Sequence, residues 1–181
     1  MRIFKAYIIT PKQNRQASYF KDGGMCVSDK GEILYVGDFD TALDKYPEAK
    51  VTDFKDCIIL PGFVDTHTHL PQYRATAIWR GELLDWLNNL VYPLEEKFSD
   101  PEYAEQQSEI FFRDAISFGT TSIAIFTSVH KEAADIAFKT AWRSGMRTFI
   151  GMSLMDSNAP DGLKKSTEKN IDDVKSLLKG W

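Results

Sequence analysis

Two of the three histidines in this 181-residue chain stand two positions apart, as His67-Thr68-His69. They follow the apolar run Ile58–Asp65, with Pro61-Gly62 inside it and Asp65 two residues before the first imidazole. In a β-strand residues i and i+2 point to the same face, so the two rings project side by side. Paired neutral imidazoles suit Zn²⁺ or Fe²⁺ and leave the rest of the coordination sphere to other groups. An isolated His-x-His arises often by chance, and its position at the carboxyl end of an apolar strand is what raises this one. The other common zinc-deaminase pattern, His-x-Glu with Pro-Cys-x-x-Cys, is absent from the sequence. Cys26 and Cys57 are too few for a disulfide framework or a four-thiolate site. Cys57 reads as a small apolar residue at a strand entry.

The elements that must position these groups fall into two textures that meet near residue 57. Residues 1–57 read as a β module, with strands around Ile3–Ile9, Gly24–Val27 and Glu32–Val36. Ser28–Gly31 makes a turn, and a short helix over Thr41–Tyr46 is capped by Thr41. From residue 58 the grammar changes to alternating strand and helix. Ile58–Asp65 reads as a strand buried on both faces. Helices follow at Glu82–Lys97 and Pro101–Phe118, then a strand at Thr120–Phe126 and a helix at His130–Ser144. A strand at Thr148–Met155 and a helix at Thr167–Lys179 complete the pattern. Such βαβ units imply an α/β fold with right-handed crossovers and a parallel sheet.

Composition narrows the function classes. With 22 basic and 26 acidic residues the formal net charge is −4, and no Lys/Arg cluster offers the concentrated charge that nucleic acid needs. No apolar run reaches the roughly 20 residues that span a bilayer. The start MRIFKAYIIT lacks a signal peptide's h-region, so a cytoplasmic protein is expected.

The segment Pro61-Gly-Phe-Val-Asp-Thr-His-Thr-His69 resembles the first-strand signature of the amidohydrolase superfamily. Leu70-Pro71-Gln72-Tyr73, the stretch Glu82–Phe98, Phe118–His130 and Leu154–Leu163 extend the resemblance to its guanine deaminases across nearly the whole chain. The resemblance implies an N-terminal β-sandwich-like module over 1–57 and the first part of a (β/α)8 barrel over 58–181. It implies that His67 and His69 ligate a catalytic metal, zinc or alternatively iron. His69, Gln72 and Trp86 would then contact a small-molecule purine substrate. The reaction implied is guanine plus water to xanthine plus ammonia, with a homodimer as the assembly and neither nucleic acid nor membrane as a partner.

An amide suits that role, because it offers a donor and an acceptor to a ring edge that alternates the two. Read without the resemblance, Gln72 is an ordinary surface glutamine. Trp86, in the pattern Leu83, Leu84, Trp86, Leu87, Leu90, fits core packing as well as a pocket wall. His130 fits a helix start as well as the site, and Asp156 a turn cap as well as the mouth of a barrel. Asp65 would share the face of His67, and it fits orienting that ligand as well as bracing the strand end. Glu95 and Glu96 read as solvated helix residues.

Residues 58–181 hold about three βα units, whereas a complete barrel takes about 250 residues. The further ligands and the proton-shuttling glutamate of the family would lie beyond residue 181. The chain is therefore expected to be an N-terminal portion that is inactive alone. Another deaminase or a chlorohydrolase of the superfamily, and a noncatalytic relic module, are the alternatives.

Overall fold

The computed structural model describes residues 1–78 and 81–181. It divides into two compact units, Met1–Pro61 and Gly62–Trp181.

The first unit is a four-stranded sheet in the order β3-β2-β1-β4. Strand β1 (Arg2–Pro11) pairs antiparallel with β2 (Ala17–Val27), and β2 pairs antiparallel with β3 (Ile33–Asp38). Ser28 holds the turn between them, its hydroxyl accepting from the backbone N–H groups of Lys30 and Glu32. The core is Ile3, Cys26, Ala42 and Ala49. Helix α1 (Phe39–Lys45) begins after Asp38, three residues ahead of the expected Thr41 cap, and no side chain caps it.

Strand β4 (Lys50–Ile59) runs parallel to β1, an element the sequence pattern does not announce. Its presence splits the run expected as one buried strand. Ile58 and Ile59 pair with Tyr7 and Ile8 of the first unit, and a new strand starts at Phe63. Pro61 between them has no N–H to give a ladder. Cys57 lies exposed within β4 rather than at a strand entry.

The second unit is a parallel three-stranded sheet in the order β5-β6-β7 (Phe63–His69, Thr120–Thr127, Arg147–Met152). Gly62 is required where the chain enters it, since a side chain there would overlap Thr121. After β5 come a 3-10 turn (Leu70–Ala75), helix α2 (Leu83–Trp86), a π turn (Leu87–Val91) and helix α3 (Tyr92–Glu96). Pro93 accounts for the wide turn: its ring would clash with the carbonyl four residues back in a regular α-helix.

Helix α4 (Pro101–Ser117) starts as expected, with Asp100 accepting from the Glu102 N–H at 3.0 Å. Helices α5 (Lys131–Ser144) and α6 (Thr167–Gly180) complete the unit. Gly145, at φ 73°, ends α5 in a left-handed turn. Ser166 caps α6 by accepting from the Lys169 N–H.

The core of this unit lies on one face of the sheet. Ile123 and Ile125 of β6 meet Phe111 and Phe112 of α4 and the stripe Ala133, Ala137, Ala141 of α5. The other face carries Phe126 and Phe149, 42% and 81% exposed. Val64 of β5 is 66% exposed, so this strand is not buried on both sides as its composition suggests. Among the described residues no helix is long and apolar enough to cross a membrane.

Candidate active site

His67 and His69 are the last odd positions of β5, and their ring centroids lie 5.2 Å apart. Both flank Phe126 of the neighbouring strand, at 5.5 and 5.1 Å, with His69 stacked on it. The histidines are aimed by a bulge. The β5–β6 register slips between Asp65, opposite Ile123, and Thr68, opposite Ile125. One extra residue on β5 therefore puts Asp65 and Thr68 on the core face and leaves His69 opposite Phe126 on the other.

This corrects the face expected for Asp65, and of its two readings favours the brace. Strict alternation would place it beside the His67 ring, but the bulge takes it to the opposite face. Its carboxylate accepts from the His67 backbone N–H at 3.1 Å instead, bracing the bulge rather than the imidazole.

The chain then turns at once. In the 3-10 turn Leu70, Pro71 and Ala75 are buried. Arg74 Nε donates to Gln107 at 2.7 Å, and the Tyr73 hydroxyl donates to Asp114 at 2.7 Å. Both partners lie on α4, so the turn is tied to the helix behind it. Gln72 is left facing a cleft of about 680 Å³ that His67, His69, Tyr73, Ile78 and Trp86 also line. Trp86 is half-buried and its indole N–H donates to the Ile78 carbonyl at 2.7 Å. That bond ties the ring to the chain at Ile78, and both residues line the cleft.

Burial, and then the neighbouring His67, push the His69 imidazole below its ordinary pKa. Its Nδ1 is buried with no hydrogen-bond partner among the described residues. A neutral ring with a free ring nitrogen is the form that binds a metal ion. The pair supplies two nitrogen donors. Among the described residues no group of three or more His, Cys, Asp or Glu side chains comes together, so any further donors must come from elsewhere.

Glu95 is the residue that sequence reasoning misplaced. It is 2% exposed, between Val91 at 0% and Phe98 at 3%. Spacings of four and three put the carboxylate on the buried seam of the helix. Gln72 Nε2 donates to Glu95 Oε1 at 2.9 Å, while Oε2 is buried without a partner among the described residues. Burial raises the carboxyl's pKa, and the Gln72 hydrogen bond opposes the rise. The signal was present in the sequence as the Val91/Glu95/Phe98 spacing, hidden by the adjacent Glu96.

The remaining candidates lie apart from the cleft. His130 immediately precedes α5, and its Nε2 is buried without a partner among the described residues. Burial and the Lys165 charge lower its pKa. Asp156 accepts from Thr167 at 2.7 Å and Ser157 at 3.2 Å, tying the Asn158-Ala159-Pro160 turn to the start of α6. These bonds hold its carboxyl below the ordinary range.

The profile of the Amidohydrolase family matches residues 58–181. The chain belongs to that family. As an amidohydrolase it is 33% identical, over 96% of its length and 40% of the relative's, to the guanine deaminase of Escherichia coli K12. It is 32% identical to the probable guanine deaminase of Deinococcus radiodurans, over 90% of its length and 38% of the relative's. Among solved structures it superposes on the E. coli guanine deaminase with a TM-score of 0.90 at 29% identity, covering 100% of this chain and 44% of that one. A guanine deaminase from C. acetobutylicum with guanine bound in its active site matches at a TM-score of 0.88 and 33% identity, covering 99% and 42%. The chain thus spans about 40% of the length of the curated relatives it matches. Amidohydrolases generally depend on a metal, and the paired imidazoles are donors of the right kind.

Proposed function

We propose that this chain carries the metal- and base-binding part of a guanine deaminase-like hydrolase, which converts guanine and water to xanthine and ammonia. The single observation that carries the reading is that Gln72 and the His67/His69 pair open onto one cleft of about 680 Å³. A metal-binding edge and a polar base-reading group thus face the same volume. Similarity to a guanine-bound relative at 33% identity supports the choice of base.

His67 and His69 are the residues that would hold the metal, zinc or iron, since imidazole nitrogens suit both. When bound, such an ion lowers the pKa of a coordinated water from 15.7 to about 7 and so supplies a nucleophile at neutral pH. The protein groups do the rest. Burial beside His67 keeps the His69 imidazole neutral, and its stack on Phe126 orients the ring. Gln72 reads the edge of the purine by its amide, and Trp86 walls the ring's face. The parallel strands β5, β6 and β7 are the first strands of a (β/α)8 barrel, and residues 1–57 belong to a sandwich-like module. The site lies at the carboxyl end of β5, where barrel enzymes place their chemistry.

Ammonia release from guanine, adenine, cytosine and an aminotriazine by the complete, metal-loaded protein tests the reading. Turnover of guanine above the others, abolished by chelation and restored by zinc, is expected. Preference for another ring would replace the reading with a different deaminase of the family, chloride release from a chlorotriazine would replace it with a chlorohydrolase, and no turnover of any ring would leave a binding relic.

A further inference from the structure

Glu95 has no counterpart in the chemistry described so far. Its carboxyl group sits in an apolar seam, between Val91 and Phe98, where burying a polar group costs more than burying an apolar side chain of similar size. Among the described residues its one side-chain hydrogen bond is with Gln72, 23 positions earlier, which faces the cleft. An ionised carboxylate only accepts hydrogen bonds, so the end of the Gln72 amide that meets it must be the NH2. In the pairing seen here Oε1 is the acceptor of Gln72 Nε2, and it remains one when the proton sits on Oε2. The Gln72 carbonyl oxygen is thereby left as the group the amide can turn to the cleft, beside the second N–H of Nε2. Without Glu95 the amide could rotate by half a turn and present a donor where an acceptor is needed.

We propose that Glu95 is a positioning residue that fixes which edge of the Gln72 amide the cleft sees, and through it selects a purine edge that donates N–H. This rests on the purine reading of the cleft. Specificity built this way is strong, because a base with the wrong edge leaves a buried polar group unpaired.

The test is a cycle in the complete, metal-loaded protein, read as KM and kcat for guanine. Glu95→Met fills the same slot without an acceptor and is expected to raise KM on the order of tenfold, with kcat changed less. In a Gln72→Ala background the same substitution should change KM by less than about twofold, because the group it acts through is gone. Glu95→Gln, which keeps an acceptor oxygen, should recover most of the loss. Equal losses in both backgrounds, or an unchanged KM for Glu95→Met, overturn the proposal and leave Glu95 a packing residue. A crystal structure of the unmutated complete protein with guanine bound decides the point should Glu95→Met not fold. Gln72 Nε2 stays on Glu95 if the proposal holds, and an amide turned away from Glu95 overturns it. Should the wild-type protein prefer another ring, the purine reading fails by itself, and the same cycle run on that ring still decides the Gln72–Glu95 coupling.

Discussion

The β5-β6-β7 sheet has two faces that the same strands specify in different ways. On one, Ile123 and Ile125 pack against Phe111 and Phe112 of α4 and the alanine stripe of α5. On the other stand His67, His69 and Phe126, with Phe149 81% exposed. The first face is held by shape and apolar area, which any well-filled set of aliphatic and aromatic side chains can supply. The second is held by register. One bulged residue between Asp65 and Thr68 decides which β5 side chains reach it. Substitutions should therefore divide cleanly, with losses of chemistry on the open face and losses of stability on the closed one.

The largest effect belongs to the open face. His67→Ala or His69→Ala in the complete protein is expected to remove bound metal and lower guanine turnover on the order of a thousandfold, about 4 kcal/mol of barrier. Metal analysis and steady-state kinetics read this together, and the unfolding midpoint should stay near the wild-type value. A large loss of stability with activity retained would break the division of faces.

On the closed face the order reverses. Phe112, at 1% exposed, is among the largest fully buried side chains of the chain. Truncating it to alanine is expected to cost about 3–5 kcal/mol of unfolding free energy through lost transfer energy and a residual cavity. Urea denaturation checks it. A cost under about 1 kcal/mol would mean that α4 can collapse onto the sheet, and that packing does not hold this face.

The closed face was the part the sequence made readable, and the reason is periodicity. The strand Thr120–Phe126 and the helices at Pro101 and His130 follow from apolar spacing, an Asp100–Pro101 start and a glycine stop. The His67/His69 pair was readable too, because a two-residue spacing survives any register. What it could not carry was the register itself. Strict alternation assigns Asp65 to the His67 ring, and only pairing with β6 reveals the bulge that removes it. Strand β4 was missed because its apolar residues are interrupted by Lys50, Asp53, Lys55 and Asp56, and its pairing with β1 is non-local. Glu95 was misread because two adjacent acids look like a solvated helix face, whereas the helix buries Glu95 and leaves Glu96 only half-buried.

A smaller, pH-dependent effect separates the edge of this unit from both faces. Asp173 of α6 is buried, which disfavours its charge, yet Lys169 at 2.6 Å and Lys165 at 2.9 Å more than offset this and hold its pKa below the ordinary value. Lys165 also donates to the Val129 carbonyl at 2.7 Å, so the ion pair ties α6 to the segment after β6. A carboxylate with a depressed folded-state pKa contributes stability that is present above its unfolded value, about 3.9, and is lost as pH falls through the folded one. Asp173→Asn should therefore lower the urea midpoint at pH 6 and flatten its decline below pH 4. A mutant whose acid limb parallels the wild type would remove Asp173 from that role.

The smallest expected effect is the sharpest test of the comparison. Phe149 lies on β7 next to β6, yet it is exposed while Ile150 beside it packs on the core. If the open face of this chain is held by register and not by apolar area, Phe149→Ser should change unfolding free energy by less than about 0.5 kcal/mol. The same substitution at Phe112 would be among the costliest in the unit, although both are phenylalanines of one layered sheet and helix. A Phe149→Ser cost approaching that of Phe112→Ala would show that the open face buries area in this chain too, and the two faces would no longer be governed by different physics.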